Sequence, residues 1–301
     1  MKISEFLSLA ERHRADAMRI AALLRQADTD GTLARRADRI TSCATFITGY
    51  ECPDCGEFHV LSTRLCRDRL CPICGWVLAR HRYYETRAAV DSLSRFVPLK
   101  LSHAVLTLRH SRGDDLQANL RALTRGYGRL LQTATFRHRI LGTARAVELT
   151  HGEQNGFHPH IHALIAEPRD FSTLTAEHLQ SMWKNALRAS YEPVTHLKEA
   201  YSNSGGGDYA DAIAEACKYA IKPGAVQGLD AGTVAQVARD MRGVRLTAAT
   251  GALRADIRAL QATRVEARRE QCASCGSDRR EHYTELRWNY LAGGYEHDAR
   301  F

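Results

Sequence analysis

Apolar residues recur along this chain at two periods, and the changes between them divide it into segments. Over residues 4–40, Ala, Leu and Ile alternate with Arg at helical spacing, with a break near residues 28–31. A turn-rich stretch covers 41–80, and a basic helix is predicted from Trp76 to about Arg95, with Pro98 marking a boundary. SHAVLTLR (102–109) reads as a strand with Ala104, Leu106 and Leu108 on one face. Residues 114–138 place Leu116, Leu120, Leu123, Tyr127, Leu130 and Leu131 at three- and four-residue steps, an amphipathic helix. ARAVELT (144–150) and HIHALIA (160–166) predict an antiparallel strand pair across a Gly-containing loop. Helix follows at about 174–190 and strand at 194–199. A further helix over 209–222 has Asp208 as N-cap and Pro223-Gly224 as its stop. Residues 232–270 read as helical and Arg-rich.

Composition narrows the class. The 301 residues are 44% hydrophobic and 25% charged, which suits a chain that buries a core and excludes a fibrous or disordered one. No run reaches the ~18 apolar residues of a membrane span. The opening MKISEFLSLAERHR interrupts its short apolar stretch with Glu5, Glu11 and Arg12, so a cytoplasmic protein with no membrane partner is expected. Lys and Arg number 42 against 34 Asp and Glu, a net charge of +8 that suggests a polyanionic partner. There are nine cysteines. In a reducing compartment, clustered cysteines bind metal more often than they pair as disulfides.

Cys52-x2-Cys55, fifteen residues, then Cys71-x2-Cys74 has the spacing of a structural zinc site in which two knuckles complete a tetrahedron. Pro53, Gly56, Pro72 and Gly75 supply the turns. Cys66 lies between the knuckles, and Cys272-x2-Cys275 is half of a further site. These three are candidates for a second zinc, with His59 or His282 to complete it, or with a pairing across a dimer. Cys43 and Cys217 read as small buried hydrophobes.

The segment FHPHIHALI (157–165) carries the other chemistry. In a strand His160 and His162 share a face, while Ile161 and Ala163 point into the core. Two adjacent imidazoles suit a divalent cation. If Val147 and Leu149 face inward, Glu148 faces the histidines, a hard ligand that suits Mg2+ or Mn2+; His158 is the alternative third ligand. Downstream, EACKYAIK (215–222) places Glu215, Tyr219 and Lys222 on one helical stripe, with Lys218 around the helix. The set joins a nucleophile, a base and phosphate-binding cations.

HPHIH after a Glu-bearing strand, then E-x3-Y-x2-K, resembles the replication initiators of rolling-circle plasmids. These are HUH-type endonucleases of the branch with one catalytic tyrosine and a glutamate four residues before it. The segment CRDRLCPICGW resembles a cysteine segment found in these initiators and in related transposases. The resemblance covers roughly residues 43–225. It implies an α+β fold with a central antiparallel sheet flanked by helices and a zinc-binding segment before it. The first 40 and last 75 or so residues carry no match to the family, and the C-terminal extension reads as helical from its own pattern. The blocks would be a helical segment at 1–40, the zinc segment and basic helix at 41–97, the nuclease core at 98–225 and the Arg-rich region at 226–301.

The resemblance further implies Tyr219 as nucleophile, Glu215 as the base of a terminating cleavage, and Lys218 and Lys222 as supporting cations. His160, His162 and Glu148 would hold Mg2+ or Mn2+. Single-stranded or hairpin origin DNA would be the substrate, with a host helicase and polymerase as partners. Arg64, Arg67, Arg69, Arg80 and Arg82, or the stretch 254–269, would grip phosphates. Three other readings compete. A histidine-triad nucleotide hydrolase would use the middle histidine of the alternating motif. A transposase usually has a second tyrosine near the first, and a relaxase usually has its tyrosine before the histidines. A non-enzymatic zinc DNA-binding protein would leave the histidine and Glu–Tyr–Lys arrangements accidental.

Overall fold

Two antiparallel sheets organise the computed structural model of the chain. It describes residues 1–152, 154–171, 174–200, 209–218, 228–267, 272 and 275–297, excepting the side chains of 171 and 263–267. The described elements mix helix and strand, as the α+β expectation requires. They group into two units, each drawn from distant stretches of sequence. Residues 1–77, 223–236 and 263–301 form one; residues 78–222 and 237–262 form the other.

In the first unit, helices α1 (Ile3–Gln26) and α2 (Thr32–Thr41) break where the sequence does, and Gly31 enters α2 at a φ of 78°. Strands β1 (Phe46–Glu51) and β2 (Phe58–Thr63) form a hairpin. The C-terminal stretch, expected to be helical, instead supplies β8 (Glu281–Asn289) and β9 (Gly294–His297). The sheet order is β2-β1-β8-β9. The physical reason is pairing: the segment's own alternation is weak, but Glu281–Arg287 of β8 run antiparallel to Phe46–Glu51 of β1. Phe6, Ala10, Ile47, Phe58 and Leu286 form the buried cluster of this unit.

In the second unit the sheet order is β6-β3-β5-β4-β7. The strands are β3 (Leu99–Leu106), β4 (Gly142–Gly152), β5 (Gly156–Pro168), β6 (Thr195–Glu199) and β7 (Thr247–Thr250). The predicted pair 144–150 and 160–166 is the β4–β5 hairpin, extended at both ends. The 114–138 helix is two, α4 (Leu116–Leu130) and α5 (Ala134–His138), and Asp115 caps α4 through Ala118 N–H. α4 packs with α6 (Ala176–Leu187), burying Trp183, whose Nε1–H donates to the Thr107 carbonyl at 2.7 Å. A different cluster joins Leu99 and Leu101 of β3, Ala144 of β4 and Leu164 and Ala166 of β5. It includes Ala212, Ile213 and Ala216 of α7 (Ala210–Ala216), with Ala89 and Val90 of α3 (Pro72–Ser94). Cys217 is buried in this cluster, as its reading as a small hydrophobe requires. The region 232–270 holds α8 (Ala231–Asp240), the unexpected strand β7 and α9 (Gly251–Ala267).

Candidate functional site

The register of the second sheet decides what the histidines face. Cross-strand partners in an antiparallel pair share a face. Glu148 lies opposite His160, Ala146 opposite His162 and Ala144 opposite Leu164. The histidine face is therefore also the face that α7 covers through Leu164, Ala166 and Ile213. Glu148, His160 and His162 are all buried.

Glu148 Oε2 lies 2.9 Å from His162 Nε2 and 3.7 Å from His160 Nε2. One ligand atom from each of the three falls within 4.8 Å of the others. His160 Nδ1 is 3.2 Å from the His158 carbonyl. A carbonyl only accepts, so Nδ1 carries a proton and Nε2 is the atom that faces Glu148. His158, the alternative third ligand, stacks on His110 at 4.4 Å and is absent from the group of convergent donors. Burial first, then His160 and His110, holds the His158 imidazole down to about 4.

Helix α7 brings Glu215 to the other side of His162, with Oε2 3.4 Å from Nδ1. Lys218 donates to Glu215 and stands 3.9 Å from Glu148 Oε2. α7 ends at Ala216 with Cys217 as its C-cap, so the helix expected through 222 stops short among the described residues. Tyr219 and Lys222 lie outside them, as does Asp208.

A residue that the sequence reading passed over completes the constellation. His103 on β3 has Nε2 3.0 Å from His162 Nδ1, and the two rings stack at 5.2 Å. Burial first, then the neighbouring His162, lowers its imidazole to about 4, so it is neutral at ordinary pH. The signal was present: with Ala104 and Leu106 inward on one face, period two puts His103 on the other.

The cysteines fall differently from their spacing. Cys52 and Cys55 form the turn of the β1–β2 hairpin, while Cys66 follows the far end of β2. The six residues of β2, five steps of about 3.4 Å, separate the two ends by roughly 17 Å, so one ion does not reach both knuckles. Cys71 and Cys74 converge with Cys66 and with Cys43, which is a cluster member and not a passive hydrophobe. Cys43 and Cys66 each place Sγ 3.6 Å from Cys74 Sγ. Hydrogen bonds from Cys43, Cys66 and Cys71 hold the Cys74 thiol far below its usual range. Cys52 and Cys55 converge instead with Cys272 and Cys275. His59 Nε2 lies 3.2 Å from Cys272 Sγ; His282 is in neither group. Arg64, Arg67 and Arg69 are exposed in the first unit, whereas Arg80 and Arg82 are half-buried on α3 in the second.

A family model described as a replication protein matches residues 57–295, most of the chain. The chain belongs to the replication-protein family. The stretch matched includes Glu148, His160, His162, Glu215 and Tyr219. Proteins named "Protein rep" are similar to it. One from a Bacillus species is 26% identical over 169 residues, 55% of each chain. One from Streptococcus pneumoniae serotype 2 is 26% identical over 214 residues, 68% of this chain and 65% of the relative. One from Lactiplantibacillus plantarum is 28% identical over 176 residues, 55% and 56% of the two. The chain thus spans between about half and two thirds of these relatives' length. No solved structure matches it. Membership in the replication-protein family bears out the resemblance to rolling-circle plasmid initiators drawn from HPHIH, E-x3-Y-x2-K and the cysteine segment. Among the described residues no helix is long and apolar enough to cross a membrane.

Proposed function

We propose that the chain initiates plasmid replication by nicking single-stranded or hairpin origin DNA through a phosphotyrosine intermediate on Tyr219. The observation that carries this reading is the convergence of Glu148, His160 and His162 on a buried sheet face, with Glu215 and Lys218 beside them. One carboxylate and two imidazoles, all from rigid strands, fit Mg2+ or Mn2+ with positions left for phosphate oxygens. When bound there, such an ion supplies Lewis-acid polarisation of the scissile phosphate.

The chain's own groups have separate tasks. His160 is held by the His158 carbonyl so that its Nε2 points into the site. Lys218, with Lys222, offsets phosphate charge. Tyr219 Oη forms a bond to phosphorus as the bond to the 3′ oxygen breaks. The phenol gives up a proton and the departing oxygen gains one. The products are a 5′-phosphotyrosine and a 3′-OH, which a host polymerase extends while a helicase unwinds. Phosphoryl energy stays in the ester, so rejoining needs no nucleotide. In the terminating cleavage water forms a bond to phosphorus as the bond to the 3′ oxygen breaks; Glu215 accepts the water's proton and the departing 3′ oxygen gains one.

The test uses single-stranded oligonucleotides tiling the replicon that encodes the chain, with Mn2+ or Mg2+. Wild type is expected to leave a covalent adduct that maps to Tyr219. Tyr219→Phe is expected to lose nicking, and Glu215→Ala to nick but end the round poorly. Equal nicking by Tyr219→Phe would sink the assignment.

A further inference from the structure

The second cysteine cluster is built from two knuckles of the same design. In the first, Gly56 N–H donates to the Cys52 carbonyl at 2.7 Å and Cys52 N–H to the Glu57 carbonyl at 2.9 Å. In the second, Gly276 N–H donates to the Cys272 carbonyl at 2.8 Å and Cys272 N–H to the Ser277 carbonyl at 2.6 Å. Both glycines take positive φ, 67° and 76°, which C-x2-C-G turns need and L side chains rarely adopt. One knuckle closes the β1–β2 hairpin. The other leads into β8, whose first residue Glu281 pairs with Glu51 at the end of β1. The two are also tied laterally: Ser277 and Arg279 both donate to Asp54.

The sulfurs face one another across this junction. Cys52 and Cys275 are 3.6 Å apart, and Cys55 and Cys272 are 3.7 Å apart. These separations are far beyond the ~2.05 Å of a disulfide. They match the ~3.8 Å edge of a tetrahedron whose corners lie ~2.3 Å from a central zinc. His59 Nε2 sits 3.2 Å from Cys272 Sγ, where an N–H can donate to a thiolate, and its ring stacks on Tyr50.

We propose that Cys52, Cys55, Cys272 and Cys275 hold a zinc ion of their own, separate from one on Cys43, Cys66, Cys71 and Cys74. This ion fastens the C-terminal strands to the N-terminal hairpin. His59 is a hydrogen-bond donor to the site and not a ligand. The site has four sulfurs and no open position, so it is structural. It closes a chain loop of more than 200 residues, the kind of link whose loss opens the sheet at β1–β8. The inference stands apart from the nicking chemistry.

Cys55 and Cys275 are solvent-exposed, which gives a test on the unaltered protein. In wild-type chain purified from zinc-supplemented medium, both are expected to resist iodoacetamide and to become reactive together when a strong chelator is added. Metal analysis is expected to give two zinc ions per chain, one in Cys272→Ser/Cys275→Ser, one in Cys66→Ser and two in His59→Ala. Hydrogen exchange in β8 and β9 is expected to speed at least tenfold in the Cys272→Ser/Cys275→Ser chain and to stay unchanged in Cys66→Ser. Prompt alkylation of Cys55 and Cys275 in the zinc-loaded wild type would overturn the site. So would an unchanged zinc count in Cys272→Ser/Cys275→Ser, or an intact mass lighter by four hydrogens, which marks disulfides. Unchanged β8 exchange in that chain would overturn the fastening role.

Discussion

Glu148 is where single-residue chemistry matters most. Its carboxylate is buried and within 2.9 Å of His162 Nε2. Glu148→Gln keeps the shape and removes the charge that a hard cation needs. Titrating wild type with Mn2+ is expected to raise its melting temperature, because a ligand that binds only the folded state stabilises it, by about 2.7 kcal/mol at a hundred times Kd. Glu148→Gln is expected to lose that rise and to nick at least ~100-fold more slowly. A retained Mn2+-dependent rise would remove Glu148 from the site. His13 offers a pH test in the first unit. It stacks on Trp76 at 5.0 Å, its Nδ1 has no hydrogen-bond partner among the described residues, and burial first, then Arg12, lowers its imidazole to about 4. Unfolding returns it to about 6.5, so the unfolded state takes up the proton first as pH falls. Its contribution is complete above pH 6.5 and is lost as pH falls toward 4, by about 3 kcal/mol at most. His13→Phe keeps the ring and is expected to flatten the dependence of unfolding free energy on pH across that window. Identical slopes in wild type and variant would show that His13 is not a source of it.

Among the elements, hairpin β4–β5 was legible in its pairing and in its faces, because alternation fixes which residues share a side with Val147, Leu149, Ile161 and Ala163, but not in its ends, which run to 142–152 and 156–168. β7 was not legible. TAAT, four residues of weak pattern, becomes a strand only through pairing with β4. The junction between β7 and α9 depends on Gly251, whose φ is +58° and whose added Cβ would lie 2.9 Å from Gly142 Cα and closer still to the Leu141 carbonyl. Gly243 has a φ of +77° but open space around it. Gly251→Ala therefore combines backbone strain with a clash against main chain, whereas Gly243→Ala carries the strain alone, about 1 kcal/mol. Urea unfolding is expected to show Gly251→Ala as the more damaging by about 2 kcal/mol or more. Equal losses would mean that the main chain at Leu141 and Gly142 yields.

At the scale of the whole molecule, the least legible property was how the chain is divided. Composition and charge pointed to a folded protein with a polyanionic partner, and the HPHIH and cysteine segments led to the right family. Grouping Cys52 and Cys55 with Cys71 and Cys74 assumed that ligands near in sequence are near in space. A hairpin between the knuckles defeats that assumption, and Cys272 and Cys275, more than 200 residues on, meet the first knuckle instead. The same interleaving makes the last strands part of a core that begins at Phe6: Leu286 of β8 is fully buried with Phe6, Ala10, Ile47 and Phe58. Deleting residues 281–301 thus removes half of a four-stranded sheet and exposes the inner face of α1, where a dispensable tail would leave both unchanged. A two-stranded hairpin rarely holds on its own, so hydrogen exchange across α1 and β1 is expected to lose its slow phase in the truncated chain. β3, β4 and β5, whose sheet lies wholly within residues 78–222 and 237–262, are expected to keep their protection. Loss of protection in both sheets at once would show that the two units unfold as one.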